Sequence, residues 1–549
     1  MTLARFAAVD PRSAGTLARA RLRRASRRVR VCGGILCALS VLPLAAQAEE
    51  PAVPDAPALR ADGGSAASVP LVDRSPIVFT PAPVAQGLLF ERPARLAQST
   101  DAPQPAAFAA PGGEAEAPPW GSRKSYLIPA LEIIGFDTAL NLFDRAYYGC
   151  CEFNVTPSSI RRNLRSSWVV DSDGFTVNQI GHPYQGSMYH GFARSAGLSY
   201  WESAAYTFLG SAFWEIAGET TPPSKNDQIS TGIGGSFLGE ALFRMSNLWL
   251  EQGRGSKFWR EVGAAAISPP VGFNRLAFDK RFDGLFPSNN PEYYSRWQIG
   301  VDSATQNQPG TSREVRRSEA MLDFALDYGL PGKSGYTYKR PFDYFAFEAS
   351  ASSAIGVESV MTRGLLFGTD YDIGRRYRGI WGLYGSYDYM APQIFRLAST
   401  AVSVGTTAEW RLSDTLALQG TGLLGVGYAT VSTIRGIANE RSNHYGVAPQ
   451  ALLALRMIFG DKAALDLNAR EYFISDVSSG PRGGHDNVVR AEASFTYRIH
   501  RQHAIAVKYQ LSQRDSDMPA LGDRRQSRGT VGVFYTLLGR ERFGTGDWQ

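Results

Sequence analysis

The stretch Val489-Arg490-Ala491-Glu492-Ala493-Ser494-Phe495-Thr496-Tyr497-Arg498-Ile499 decides the fold. Its odd positions are Val, Ala, Ala, Phe, Tyr and Ile, while its even positions are Arg, Glu, Ser, Thr and Arg. Successive side chains of an extended strand point to opposite faces, so a period of two predicts a strand with one apolar side. Downstream, Ile505, Val507, Tyr509 and Leu511 oppose Lys508, Gln510 and Ser512. Upstream, Leu465, Leu467 and Ala469 oppose Asp466, Asn468 and Arg470, and Val531, Val533, Tyr535 and Leu537 give a final strand. Each such strand runs to about 10–14 residues.

A soluble β-sandwich also alternates, so length and spacing must separate the two. Strands of soluble domains average about five or six residues, whereas a tilted transmembrane strand needs about nine to eleven. Short links sit near Ser413-Asp414, Gly460-Asp461 and Arg501-Gln502, and long polar ones near 434–445, 475–487 and 514–527. Short periplasmic turns alternating with long outer loops characterise an outer-membrane barrel, and this order leaves the C-terminus in the periplasm. Facing Arg490 and Arg498 to lipid would cost up to about 2–4 kcal/mol each, so parity assigns them to a polar lumen. The expectation is a membrane all-β barrel of about 12 antiparallel strands over residues 290–540. The strands between 352 and 396 are poorly separated, and a tail, 541–549, follows the last strand instead of the usual terminal aromatic.

The N-terminus predicts export. Arg19, Arg21, Arg23, Arg24, Arg27, Arg28 and Arg30 precede the apolar run Val31 to Leu44, and Ala46-Gln47-Ala48 is a small-x-small cleavage site. An apolar run of about fourteen residues suits a signal-peptide core and is too short to span a bilayer. Residues 1–48 therefore read as a signal peptide of the general export pathway. Cys32 and Cys37 lie inside it without a lipoprotein site. The chain has 57 Lys+Arg against 51 Asp+Glu, but the leader holds nine Arg and one Asp, leaving 48 against 50. The mature chain is thus slightly acidic, which removes the main electrostatic support for nucleic-acid binding. No later apolar stretch is long enough to stop transfer across the inner membrane. The expected address is the outer membrane, reached through the barrel-assembly machinery.

Residues 49–120 are rich in Ala, Pro, Gly and Ser, a composition that cannot offset its own ordering entropy, and read as a disordered linker. From 121 to 285 the pattern turns helical. Leu127, Leu131, Ile134, Leu140 and Phe143 recur at three- and four-residue spacing, and further helices are expected over 183–198, 201–219 and 229–251. Adjacent Cys150 and Cys151 fit neither a disulfide framework nor a zinc motif; they read as an ordinary pair near a helix end, with a redox switch as the alternative.

The unusual polar residues fall between 178 and 244. Asn178-Gln179-Ile180-Gly181-His182-Pro183-Tyr184-Gln185-Gly186 comes first, then Trp214-Glu215 with Glu219, then Asn226-Asp227, then Glu240 with Arg244. This block resembles a family of bacterial envelope proteins known as a domain of unknown function, over roughly residues 125–280. The run Asn-Gln-x-x-His-Pro-Tyr-x-Gly, here Asn178, Gln179, His182, Pro183, Tyr184 and Gly186, is its most specific element. That resemblance implies no activity. The order His, Glu, Asn/Asp, Gly on small-residue helices is also similar to VanZ-like and YfiM-like envelope proteins, a likeness that assigns no chemistry.

Glu215 and Glu219 are four apart and would share one helix face among Phe208, Phe213, Trp214 and Ile216, where burial would raise a carboxyl pKa. His182 and Asp227 converge on them if the helices pack antiparallel. One His with two or three carboxylates is able to hold a divalent cation or to work as acid and base, without spacing that identifies a metal. The plainer reading is that these residues cap helices and cross-link a bundle, and Glu240 with Arg244 reads as an intrahelical salt bridge. Gly232-x-Gly234-Gly235 lacks the strand and spacing of a dinucleotide loop, so no nucleotide cofactor is expected. No Gly-x-Ser-x-Gly elbow occurs in the block, and Ser187 near His182 does not make a hydrolase dyad.

Two functions follow from the sequence. In the first, a structural or transport-related barrel has its helical domain at the periplasmic mouth or inside the lumen as a plug. In the second, an outer-membrane hydrolase acts on lipid through His182, Glu215, Glu219 and Asp227. A periplasmic scaffold or binding protein remains if the strands do not close.

Overall fold

The computed structural model describes residues 119–149, 151–171, 173–252, 255–278, 281–307, 314–433, 443–476, 484–518, 522–540 and 543–545. The expected leader, nearly all of the linker, Cys150 and most of the tail lie outside the described residues.

Twelve strands close into one antiparallel barrel, each pairing with its sequence neighbours and β1 with β12. They are β1 Tyr293–Asn307, β2 Glu314–Tyr328, β3 Phe345–Ser352, β4 Gly356–Ile373, β5 Tyr377–Met390 and β6 Phe395–Arg411. β7 Leu416–Thr433, β8 Asn443–Phe459, β9 Ala463–Asp476, β10 His485–His500, β11 His503–Met518 and β12 Gly522–Leu538 complete the ring. The membrane barrel expected from the alternation is borne out, including the strands of the region 352–396. One boundary differs. Residues 514–527, read as a loop, are paired strand up to Met518↔Gly522. Their polarity is divided between the faces: inward, Arg514 Nε donates to Asp486 Oδ1 at 2.7 Å and Gln526 Nε2 to the Ile394 carbonyl at 2.7 Å, while Asp517, Asp523 and Arg525 on the outward face are exposed.

Parity sorts the strands into two unlike faces. Ile299, Val301, Val404, Leu424, Val531 and Val533 point outward and are exposed, which gives the apolar wall of a barrel standing in lipid. The inner face is charged and buried. Asp388 on β5 accepts from Arg470 Nη1 at 2.8 Å and from the Tyr472 hydroxyl at 2.9 Å, both on β9. Arg456 on β8 reaches Asp327 on β2, half-way round the ring, at 3.0 Å. Arg296 bonds Asp466 at 3.2 Å, and Arg528 lies 3.3 Å from both Glu319 and Glu358. Arg490 and Arg498 are buried on the same side. One cavity lined by Arg296, Asp327, Glu348 and Arg456 measures ≈ 60 Å³, room for several waters. Ion pairs such as Arg456–Asp327 cross the lumen at these levels.

The helical part comprises α1 Leu127–Tyr148, α2 Pro157–Asn163, α3 His182–Ser195, α4 Tyr200–Ala217, α5 Lys225–Ile229, α6 Gly235–Gln252, α7 Lys257–Ile267 and α8 Pro269–Ala277. Wider π turns, Val177–Gly181 and Ser230–Gly234, lead into α3 and α6. α3 and α6 cross where glycine is required: a Cβ on Gly186 would lie 2.1 Å from the Thr231 carbonyl oxygen, and one on Gly235 2.6 Å from Gly186 Cα.

These helices sit on the outer wall, which corrects the expected plug or periplasmic-mouth cap. Trp381, Tyr387 and Tyr389 all point outward from β5, yet Trp381 is 59% exposed and the tyrosines 2% and 3%. Phe175, Tyr200, Phe237 and Leu238 of the helical part form one core with Leu326, Tyr328, Phe345, Phe347, Tyr387 and Tyr389, all outward-facing strand residues. A Cβ on Gly385 would lie 2.4 Å from the Phe237 ring. The physical reason is a match of surfaces. Apolar helix residues fit the apolar exterior, while the lumen is already occupied by ion pairs. Among the described residues no helix is long and apolar enough to cross a membrane.

Removing one partner of a buried ion pair leaves an uncompensated charge. Asp388→Ala is expected to destabilise the barrel by about 3–5 kcal/mol, whereas Asp388→Leu with Arg470→Met together should be nearly neutral. Urea unfolding of the refolded protein in detergent measures both.

Candidate functional site

Pro183 begins the construction. It lacks an N–H and cannot donate to the carbonyl four residues back, that of Gln179, so the preceding turn widens and this carbonyl is left free. The Tyr387 hydroxyl on the barrel wall donates to it. The motif Asn178 to Gly186 is thereby pinned to β5, with His182 at the start of α3. Its Nδ1 lies 3.2 Å from Thr231 Oγ1, and its Nε2 faces Asp227 Oδ1 at 4.0 Å.

Asp227 is placed by the cap of α5. Ser224 Oγ accepts from the Asp227 N–H at 3.2 Å, and the Ser224 N–H donates to Glu215 Oε2 at 2.8 Å. Donor atoms of His182, Glu215 and Asp227 all lie within 4.8 Å of one another, and all three residues are buried. The sequence expectation that these three converge describes the geometry. Glu219 stands apart: α4 ends at Ala217, and the Glu219 carboxylate accepts from Trp214 Nε1 at 2.8 Å and Thr221 Oγ1 at 3.1 Å.

Sequence reasoning missed Asp171. Its Oδ1 accepts from Asn178 Nδ2 at 2.6 Å and Asn226 Nδ2 at 3.1 Å, which gives both motif amides a role. The acidic run around Asp171 and Asp173, just before the motif, was the available signal. Tyr428 and Tyr445 were missed as well. They stack on the outer wall with ring centroids 6.0 Å apart, and the Tyr445 hydroxyl accepts from Asn178 Nδ2 at 3.2 Å. Tyr445 lies two residues into β8, so the site adjoins the end of the barrel that carries the 434–442 connection.

Burial dominates the electrostatics. It pushes His182 down to about 4, against the pull of Asp171. Burial also raises Glu215 well above the usual carboxylate range, helped by Glu219. Asp227 is raised by burial and then by its hydrogen bond to Asp171. For Asp171 burial acts upward, but the hydrogen bonds from Asp227, Asn226 and Asn178 outweigh it and lower the carboxyl. Burial thus favours the neutral forms of His182, Glu215 and Asp227, while hydrogen bonding favours the charged form of Asp171.

Glu240 and Arg244 belong to a different assembly. Their expected i,i+4 bridge is present at 2.9 Å, but Glu240 also meets His190 at 3.1 Å and Arg194 at 2.7 Å. Arg244 continues to Asp343, in the connection between β2 and β3, at 3.0 Å. This buried network locks α3 and α6 to the barrel. Tyr184 is packed behind α3 in an aromatic cluster with Tyr189 and Phe192.

Fold and site together define an outer-membrane-type β-barrel carrying a lateral helical domain with a buried histidine–carboxylate centre. The family profile described as Domain of unknown function (DUF3943) matches residues 167–270, a span that holds the whole centre and is narrower than the resemblance read from the sequence. No curated protein matches the chain. Among solved structures, the outer membrane channel DcaP of Acinetobacter baumannii is 8% identical over 45% of this chain and 97% of its own, with a TM-score of 0.22. The translocator domain of the autotransporter NalP from Neisseria meningitidis is 16% identical over 45% and 89%, at 0.21. The toluene transporter TodX of Pseudomonas putida is 12% identical over 46% and 90%, at 0.19. The barrel assignment itself rests on the strand pairing and the apolar wall.

Glu219 supplies a pH test. Burial, then Asp173, pushes its carboxyl up to about 8, above its ordinary 4.5. An acid whose pKa is raised by folding contributes stability that is complete below about 4.5 and lost as pH rises through about 8. In the presence of a chelator, the helical signal is expected to melt at lower temperature as pH goes from 5 to 8.5, and Glu219→Gln should flatten that dependence. Circular dichroism melts measure it.

Proposed function

We propose that this protein is an outer-membrane enzyme acting on lipid, in which the barrel is a structural anchor and the helical domain carries the chemistry. One observation carries the reading: His182, Glu215 and Asp227 converge against the outward, lipid-side wall of the barrel instead of its lumen. The ion pairs that cross the lumen, Arg456 to Asp327 among them, support a structural over a transport role for the barrel. The exposed apolar residues Leu131, Ile134, Leu209, Phe258 and Trp259 suit a helical domain bathed by the same lipid.

In this reading residues 1–48 direct export and are removed, and the barrel-assembly machinery inserts the chain. The C-terminus and the short connections face the periplasm, and the site lies at the level of the outer leaflet. The substrate class is a lipid ester. Water activated at the His182–Glu215–Asp227 centre bonds through its oxygen to the ester carbon, and the proton it gives up passes to the alkoxide released as the carbon–oxygen bond breaks. No nucleotide cofactor takes part.

The experiment compares outer-membrane lipids, by mass spectrometry, from cells expressing wild type, His182→Ala and Glu215→Gln. Heat-modifiability on unboiled gels verifies that each variant is folded. A hydrolysed lipid species made by wild type and lost at least tenfold in both variants is expected. Identical lipid profiles from three folded proteins would reduce the cluster to helix capping and cross-linking.

A further inference from the structure

Three features of the same centre remain unexplained by capping alone. First, His182 Nε2 makes no hydrogen bond among the described residues. Its Nδ1 is taken up by Thr231, its side chain is 7% exposed, and Nε2 points at Asp227 Oδ1 across 4.0 Å, too far for hydrogen bonding. Second, Asn178 is fully buried beside the centre, and its Oδ1 has no hydrogen-bond partner among the described residues. Third, no Lys or Arg among the described residues forms an ion pair with Glu215, Asp227 or Asp171, although burying carboxylates without a cation is costly.

We propose that His182 Nε2 and the carboxylates of Glu215 and Asp227 are the protein ligands of one divalent metal ion of the zinc class. The imidazole donor selects against calcium and magnesium, which take oxygen ligands, and three protein ligands leave a position open for water. Two donors 4.0 Å apart are spanned by an ion about 2.0–2.2 Å from each. Thr231 is then the outer partner that fixes the ring and directs Nε2 at the ion, while Asp171, Asn178 and Asn226 hold Asp227 from behind. The open position acquires a catalytic role only through the lipid-hydrolase reading; the binding itself is independent of it.

The test uses the mature protein, refolded in detergent and stripped with chelator. After dialysis against micromolar zinc, metal analysis is expected to find one zinc per chain, and cobalt in its place should give visible absorption bands of a low-coordinate site. His182→Ala and Asp227→Asn should each weaken binding about 100-fold or more, Thr231→Val about 10–100-fold, and Glu219→Gln not at all. Substoichiometric zinc on folded wild type, or zinc retained equally by His182→Ala and Asp227→Asn, overturns the proposal. The cobalt spectrum needs only wild type, so a misfolded variant does not leave the question open. Zinc bound at this site without any lipid change would overturn the enzyme reading alone. A chelator-insensitive lipid change in a protein that binds no zinc would overturn the metal alone.

Discussion

The contact between the helical domain and the outer wall over β2 to β8 is the constraint on which the rest of the structure depends. Tyr387 and Tyr445 project hydroxyls from a face that elsewhere meets lipid, where no water is available to satisfy them. The helical domain supplies the partners: the Gln179 carbonyl freed by Pro183, and the amide of Asn178. In lipid, replacing acyl chains by helices gains no hydrophobic energy, so close packing and hydrogen bonds must hold the domain. Gly385 and Gly234 allow that approach, the first under Phe237 and the second against Thr400.

The second tie is electrostatic. Glu240 collects His190, Arg194 and Arg244, and Arg244 passes the connection to Asp343 in the loop after β2. The Arg194 guanidinium also lies 4.6 Å from the Phe243 ring centroid and 4.8 Å from that of Phe286. Burial makes each member dependent on the others, so the network holds α3 and α6 in one register with the barrel. His182 stands at the start of α3, and Thr231 in the turn before α6. The placement of the centre is therefore inherited from a lock about two helical turns away.

Much of the barrel was legible because alternation is a direct consequence of strand geometry. Arg490 and Arg498 could be turned inward by parity alone. What parity does not tell is which outward residues meet lipid and which meet another part of the chain, so Tyr387 and Trp381 read alike in the sequence. That is why the helical domain was expected at the lumen or mouth. His182, Glu215 and Asp227 were legible as unusual polar residues in apolar surroundings. Asp171 was not, because it precedes the first turn of its helix and joins the centre through side-chain hydrogen bonds with Asp227, Asn226 and Asn178 that sequence spacing does not reveal. Glu219 looked like a partner of Glu215 at helical spacing, but Gly218 ends the helix first.

The most direct measurement is a pair of engineered cross-links on the folded protein, with Cys150 and Cys151 replaced by Ser. A Cβ on Gly234 would lie 2.9 Å from Thr400 Oγ1, and Thr400 points outward while its neighbour Ala401 points into the barrel. Under mild oxidation Gly234→Cys with Thr400→Cys is expected to form a disulfide, seen as a gel shift reversed by reductant, and Gly234→Cys with Ala401→Cys is not. The opposite result would put the helical domain inside the lumen and contradict the account.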